Sequence, residues 1–316
     1  MKDQKFTFDD ILLVPSHAEY DTREFNVSSS IFFSYNLTIP VLSSPMDTIT
    51  GTKMMDAMWH NGAIGVHHRY CEWEELEKAA LEHMGGIAIS PSGDIDKIIN
   101  LAHKIPDLFF VIDVAHGDSK KVMSFCFDLI KSGVKNIVSG NVVTCDAVHR
   151  YLNIGVEYFR AGVGNGSRCL TRTVSGFGYP QASVIHELYQ EFGENIVIIA
   201  DGGFKNTGDI VKSFSLGASY VMTGYLLAGT DECPTPGYYR GMASKDALET
   251  RKKEYFIEGD SISVAPKGSV SLVLDEIEDA IKHACHYGGV LNYKELVNVE
   301  KIRISESSFL EGLTRK

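Results

Sequence analysis

Between Gly162 and Gln181 the chain reads GVGNGSRCLTRTVSGFGYPQ, a stretch that holds five glycines, one proline and a single cysteine, Cys169. Glycine has no Cβ, so such a backbone swings freely and its amides and carbonyls can approach a ligand closely. A thiol on that loop is accessible, and Arg168 or Arg172 beside it would favour the nucleophilic thiolate. A buried structural cysteine in a long loop is the competing reading.

Four further groups could do chemistry. ADGG (Ala200 to Gly203) and MTGY (Met222 to Tyr225) each end an apolar run in glycine, whose amides suit a phosphate. Asp201 would then accept hydrogen bonds from the vicinal hydroxyls of a ribose, so the pair implies a mononucleotide. Asp113, His116 and Asn141 could bind an amide or a ribose, or simply be solvated loop residues. His67, His68 and Arg69 form a small cationic group, unless the histidines are hydrogen-bonded parts of the scaffold. Glu258 has the composition of a general acid or base, which alone carries little weight.

Positioning these groups requires elements that end where they stand. Short apolar runs begin at Ile39, Ala63, Gly86, Phe109, Lys135, Val156, Asn195 and Ala218, nearly continuous in Val, Ile and Phe, as expected of strands covered on both faces. Amphipathic segments alternate with them. DSKKVMSFCFDLIKSG, for instance, offers Asp118 or Ser119 as cap, apolar Val122, Phe125, Leu129 and Ile130, and Gly133 as stop. Eight strands alternating with helices predict an α/β fold, a closed (β/α)8 TIM barrel, with a doubly wound open sheet as the alternative. The polar and glycine residues named above fall at the C-terminal strand ends, where such barrels gather their chemistry. The charged connection after the eighth strand reads as a mobile flap over the mouth, about residues 243–266, with no periodic apolar face. VLDEIEDAIKHACHYGG then spaces Val273, Leu274, Ile277, Ile281 and Ala284 as one face of a closing helix. The whole chain, 1–316, reads as one catalytic domain.

Composition narrows the partners. The formal net charge of -11 disfavours free nucleic acid and anionic membranes, while a local cationic site could still take a small anion. The opening MKDQKFTFDDILLVPSH fits neither a secretory signal nor a transit peptide, and no apolar stretch is long enough to span a bilayer, which predicts a cytoplasmic protein. The six cysteines are scattered without a CxxC pair, so neither disulfides nor structural zinc is expected.

FTFDDILLVP, SSPMDT, DVAHGDS, SGNVVT, GVGNGSRCLTR, GYPQ, ADGG, YRGM and APKGSV follow one another in an order that resembles the family of IMP dehydrogenases and GMP reductases along almost the whole chain. The resemblance implies a barrel, usually a homotetramer, in which Cys169 attacks C2 of a purine nucleotide and Thr171 stands beside it on the loop. It implies that Ser44, Met46, Gly166, Ser167, Asp201, Gly202, Gly203, Gly224, Tyr225, Gly241, Met242 and Ala243 hold the nucleotide. Asp113, Asn141 and Gly162 would line the nicotinamide side, and Glu258 would contact the base. The carbonyls of Gly164, Gly166 and Cys169 resemble a monovalent-cation site, such as one for K+.

The family's branches share a thioimidate and differ in its fate. IMP dehydrogenases pass hydride to NAD and then hydrolyse; GMP reductases expel ammonia and then accept hydride from NADPH. Dehydrogenases resemble one another in an Arg-Tyr pair in the flap, where this chain reads KEYF, with Glu254 before Tyr255. GYPQ, the missing regulatory insert and the Thr171 and Glu258 pair look like the reductase version. SSPMDT, AHG and YRGM look like dehydrogenase spellings. The leading expectation is an NADPH-dependent GMP reductase. A compact IMP dehydrogenase using NAD is one alternative, and a purine-nucleotide-binding protein without turnover is another, which would bind GMP or IMP tightly yet oxidise no cofactor.

Overall fold

The computed structural model describes residues 4–19, 30–251 and 257–313. Each apolar run becomes a strand: β1 (Val41–Ser43), β2 (Val66–His67), β3 (Gly86–Ile89), β4 (Phe109–Ile112), β5 (Ile137–Val142), β6 (Tyr158–Ala161), β7 (Val197–Asp201) and β8 (Tyr220–Thr223). A helix follows each in turn: α1 (Thr52–His60), α2 (Trp73–Glu82), α3 (Ile95–Lys104), α4 (Lys120–Lys131), α5 (Cys145–Leu152), α6 (Gln181–Phe192), α7 (Thr207–Ser215) and α8 (Val270–Gly288). The strands pair in parallel in the order β1-β8-β7-β6-β5-β4-β3-β2. A parallel bridge from Leu42 to Ile64 joins the two ends, with the Ile64 amide donating to the Val41 carbonyl at 3.1 Å. That contact rules out the open sheet and makes the fold a (β/α)8 barrel.

Alternation along the strands splits the core in two. Leu42, Val66, Ala88, Phe109, Val111, Val138, Ile199, Tyr220 and Met222 fill the lumen, while Val41, Ile87, Phe110, Ile137, Phe159, Ile198 and Val221 pack outward beneath the helices. A hairpin of Ser30–Phe32 and Tyr35–Leu37 closes the bottom, where the Phe32 ring meets those of Phe109, Tyr158 and Tyr220 edge-on. Sequence reading placed no strands there.

Caps fix where several helices start. Asp94, Ser119, Thr144, Asn206 and Ser269 each accept from amides in the first turn, worth about 1 kcal/mol apiece. Ser119 rather than Asp118 caps α4; Asp118 instead pairs with Arg150. On α8 the buried stripe is Val270, Leu274, Ile277, Ile281 and Cys285, so Val273 and Ala284, expected on it, lie at its flank.

The segment expected to be a featureless flap holds structure in its described residues. Tyr238–Arg240 pairs antiparallel with Ser261–Ser263, and a helix spans Lys245–Thr250. Both strands are short and their partners lie far apart in sequence, so local periodicity could not reveal them. Glu254 and Tyr255 lie outside the described residues. All six cysteines are free thiols, and no helix among the described residues is long and apolar enough to cross a membrane.

Candidate active site

A cleft of about 430 Å³ opens at the C-terminal strand ends. Its walls bring together Ser44 and Met46 after β1, Asp113 after β4, Asn141 of β5, Gly164, Gly166, Ser167, Cys169 and Thr171 of the glycine loop, and Asp201, Gly202 and Gly203 after β7. Gly224 and Tyr225 after β8 join them, with Gly241, Met242, Ala243 and Glu258 from the flap. Its size suits a mononucleotide with part of a second ligand.

Cys169 Sγ lies 3.1 Å from Thr171 Oγ1, and the Thr171 hydroxyl donates to Glu258 Oε2 at 2.8 Å. Backbone pairing makes this series possible. The Leu170 amide donates to the Glu258 carbonyl at 2.7 Å, the Asp260 amide to the Arg168 carbonyl at 3.0 Å, and Cys169 bridges Gly259 antiparallel. Segment 241–244 lies against the other side of Gly259. A Cβ on Gly259 would stand 2.8 Å from the Ser244 nitrogen, closer than packed atoms tolerate, and a tight 3.2 Å from Gly241 Cα. The thiol loop is therefore less loose than its glycines suggest.

The arginines beside the thiol act differently from expectation. Arg172 ties the loop together through Asn165 and the Tyr179 carbonyl, while the Arg168 guanidinium stands 3.7 Å from Asp260.

Below the mouth, polar strand ends interlock. Arg160 of β6, 7% exposed, donates through Nε (3.1 Å) and Nη2 (2.8 Å) to Asp201 Oδ2 and reaches Asp113 Oδ1 through Nη1 at 3.4 Å. Asp113 Oδ2 accepts from Arg69 Nε at 2.9 Å and from the Tyr70 hydroxyl at 3.2 Å. Asn141 donates to the Gly162 carbonyl (2.7 Å) and to Asp201 Oδ2 (2.8 Å). Both of its N–H bonds are thereby used, which leaves its Oδ1 to accept from a carboxamide. That acceptor fits the N–H of a nicotinamide carboxamide.

Gly162 is buried and is not among the residues of the cleft wall; its φ of 134° packs it against Gln181 and the Asp201 carbonyl, and its own carbonyl accepts from Asn141 at 2.7 Å. His116 is exposed outside the cleft wall.

At the end of β2 the histidines are hydrogen-bonded parts of the scaffold, the second of the two readings given above, and not a cationic group. His67 and His68 are buried, and burial lowers both pKa values, that of His68 to about 4, so both rings are neutral near pH 7. With Cys71 they place three ligand atoms within 4.8 Å of one another. His68 Nδ1, however, accepts the Tyr70 amide, and both His67 Nδ1 and Cys71 Sγ engage the His68 carbonyl. Burial pushes the Cys71 thiol up to about 12, so the group closes a turn.

Sequence reasoning missed Arg160, Arg251 and Tyr239, all in the cleft wall. Arg251 Nη2 meets Asp47 Oδ2 at 2.7 Å, its Nη1 donates to the Met242 carbonyl at 2.8 Å, and its guanidinium lies 3.4 Å from the Tyr70 ring centre. Burial alone would raise the Asp47 pKa, but hydrogen bonds from Arg240 and Arg251 outweigh it and hold the carboxyl below its ordinary range. Burial pushes Tyr239 up to about 12, so it remains a phenol. Arg160 had a signal: it shares the lumen-facing parity of Tyr158, and an inward arginine must find carboxylates.

A parallel barrel thus carries a thiol, a hydroxyl and a carboxyl in hydrogen-bonded series over its mouth, groups of the kind that can activate a sulfur nucleophile. The comparison with known sequences says which family this is. The profile described as "IMP dehydrogenase / GMP reductase domain" matches residues 5–314, and the chain belongs to that family. It is 31% identical to GMP reductase 2 of Bos taurus over 93% of this chain and 92% of that one. It is 30% identical to a GMP reductase of Buchnera aphidicola (96% of each) and 28% identical to the inosine-5'-monophosphate dehydrogenase of Borreliella burgdorferi (98% and 96%). The chain is thus an oxidoreductase acting on purine nucleotides, in a family that binds purine mononucleotides and uses nicotinamide cofactors.

Proposed function

We propose that this enzyme is an NADPH-dependent GMP reductase, converting GMP to IMP and ammonia. The observation that carries the reading is the series Cys169 Sγ, Thr171 Oγ1, Glu258 Oε2, with spacings of 3.1 and 2.8 Å. Thr171 has one hydroxyl proton and gives it to Glu258, so the thiol donates to the threonine oxygen. As sulfur bonds to C2 of the guanine, the thiol proton moves along the series to Glu258. Addition places sulfur and the amino group on one carbon. Glu258 returns the proton through Thr171 to the amino nitrogen, the C2–N bond breaks, and ammonia leaves a thioimidate between Sγ and C2. NADPH, when bound, supplies the hydride that C2 receives. The C2–Sγ bond then breaks, and the thiolate regains a proton as IMP departs.

Asp201 would accept from the ribose, with Ser167, Gly202, Gly203, Gly224 and Tyr225 around ribose and phosphate and Ser44, Met46, Gly166, Gly241, Met242 and Ala243 beside the nucleotide. Asn141, backed by Asp113, would take the nicotinamide. A monovalent cation would fit the carbonyls of Gly164, Gly166 and Cys169; that of Gly166 already accepts the Cys169 amide at 3.0 Å and keeps its second lone pair. The chain is proposed to work as a cytoplasmic homotetramer.

Reduction is preferred to hydrolysis because a dehydrogenase must activate water after the covalent step. Of the four arginines in the cleft wall, Arg69 pairs with Asp113 (2.9 Å), Arg160 with Asp201 (2.8 Å) and Arg251 with Asp47 (2.7 Å), while Arg168 stands 3.7 Å from Asp260. A neighbouring carboxylate stabilises the guanidinium and makes it a poor base. With GMP and NADPH, absorbance at the nicotinamide band should fall as ammonia is released. No such turnover, with NAD reduced by IMP instead, would overturn the proposal.

A further inference from the structure

We propose that Arg160 is a positioning residue that makes the cleft selective for ribonucleotides over 2′-deoxyribonucleotides. The inference rests on the reading that the cleft takes a purine mononucleotide.

A guanidinium is costly to bury, and Arg160 is buried at the inward parity of β6, above the apolar lumen. An arginine facing a carboxylate often spreads its fork over both oxygens. Here it does not. Nε at 3.1 Å and Nη2 at 2.8 Å converge on Oδ2 of Asp201, where Asn141 Nδ2 adds a third donor at 2.8 Å. Oδ1 of Asp201 accepts no hydrogen bond among the described residues, and Asp201 stands in the cleft wall.

Three donors on one oxygen fix the rotation of the carboxylate. The other oxygen, which can only accept when the group is ionised, is left to the ligand. Vicinal ribose hydroxyls are donors, and a 2′-deoxy sugar lacks one of them. A site preorganised for a hydroxyl loses more on its removal than one whose acceptor is free to turn. The grip is itself anchored, because Nη1 reaches Asp113 at 3.4 Å and Asp113 is held by Arg69 at 2.9 Å. Two arginines and two carboxylates thus alternate across the mouth, and Asp201 cannot turn without disturbing the row.

The test measures affinities of GMP and 2′-deoxy-GMP by calorimetry without cofactor, in a Cys169→Ala background that cannot form the covalent adduct, for wild-type Arg160, Arg160→Met and Arg160→Lys. The wild type should prefer GMP by roughly tenfold or more. Arg160→Met, which fills similar space without donating, should bring the ratio close to one. Arg160→Lys keeps a cation between the two carboxylates and so protects the fold, but cannot make the two-point grip, so its ratio should fall between. Equal affinity of the wild type for both nucleotides overturns the proposal. So does a Lys variant with the full wild-type ratio, or a Met variant that weakens both nucleotides alike, as a purely structural role would. Because binding is read without turnover, failure of GMP reduction leaves this result standing. A wild type that binds neither nucleotide removes the mononucleotide reading itself.

Discussion

Two parts of the barrel mouth hold their functional groups by different means. Across β4, β5, β6 and β7, the side chains of Asp113, Asn141, Arg160 and Asp201 stand at strand ends and fix one another through ion pairs and hydrogen bonds. The barrel ladder has already placed their backbones. At the thiol, by contrast, segments 168–170, 241–244 and 258–260 meet through main-chain bonds between residues far apart in sequence, and two facing glycines allow the approach. On the proposed function, recognition is built on the rigid frame, while the reacting groups depend on a crossing that the flap completes. The rim should therefore govern which ligand binds, and the crossing how fast it reacts.

The largest effect should come from breaking the relay at its far end. Glu258→Gln keeps the shape but cannot take the thiol proton, and turnover should drop by about 10²–10⁴ with nucleotide affinity little changed. Thr171→Val should do the same. A rise in KM with kcat preserved would move Glu258 from chemistry to binding. A smaller loss is expected from Gly259→Ala, which leaves every reacting side chain in place. Its methyl presses on Ser244 N and Gly241 Cα, pushes the flap strand off the loop, and should lower kcat by about ten- to a hundredfold while KM stays within a few-fold. An unchanged kcat would show that the crossing does not set the thiol geometry.

Stability offers the mildest test. Asp47 is nearly buried between Arg240 and Arg251, each at 2.7 Å, and links the flap to the loop after β1. Losing one partner of a buried pair costs about 3 kcal/mol, so Asp47→Asn should lower Tm at pH 7 by roughly 6–12 °C. The folded pKa of Asp47 lies below its ordinary value of 3.8. Its stabilisation is therefore complete above that value and lost as the pH falls through the depressed one. The gap between wild type and variant should close in strong acid. A gap independent of pH would mean that shape, not charge, was lost.

The same contrast explains what the sequence could disclose. All eight barrel strands were legible, because strands covered on both faces leave continuous apolar runs, and Cys169, Asp201 and Asn141 were found by their place after those runs. The bottom hairpin and the pairing of Tyr238–Arg240 with Ser261–Ser263 were not legible, since both are short and the second joins distant segments. Gly162 shows that a glycine at a strand end can line a cleft or pack beneath one, which its position in the sequence does not distinguish. Gly241 was read as a ligand neighbour and Gly259 drew no notice; their mutual approach exists only after folding. Arg160 left a readable trace in its alternation with Tyr158, hidden inside an otherwise apolar run.

The central claim is that Cys169 sulfur bonds covalently to C2 of the purine. Intact-protein mass spectrometry after rapid acid quench, on enzyme incubated with GMP, measures it most directly. The predicted result is a mass increase equal to GMP less ammonia, mapped by digestion to the peptide bearing Cys169 and missing in Cys169→Ala. Turnover of GMP by Cys169→Ala at the wild-type rate, or an adduct mapped to another residue, would contradict the account.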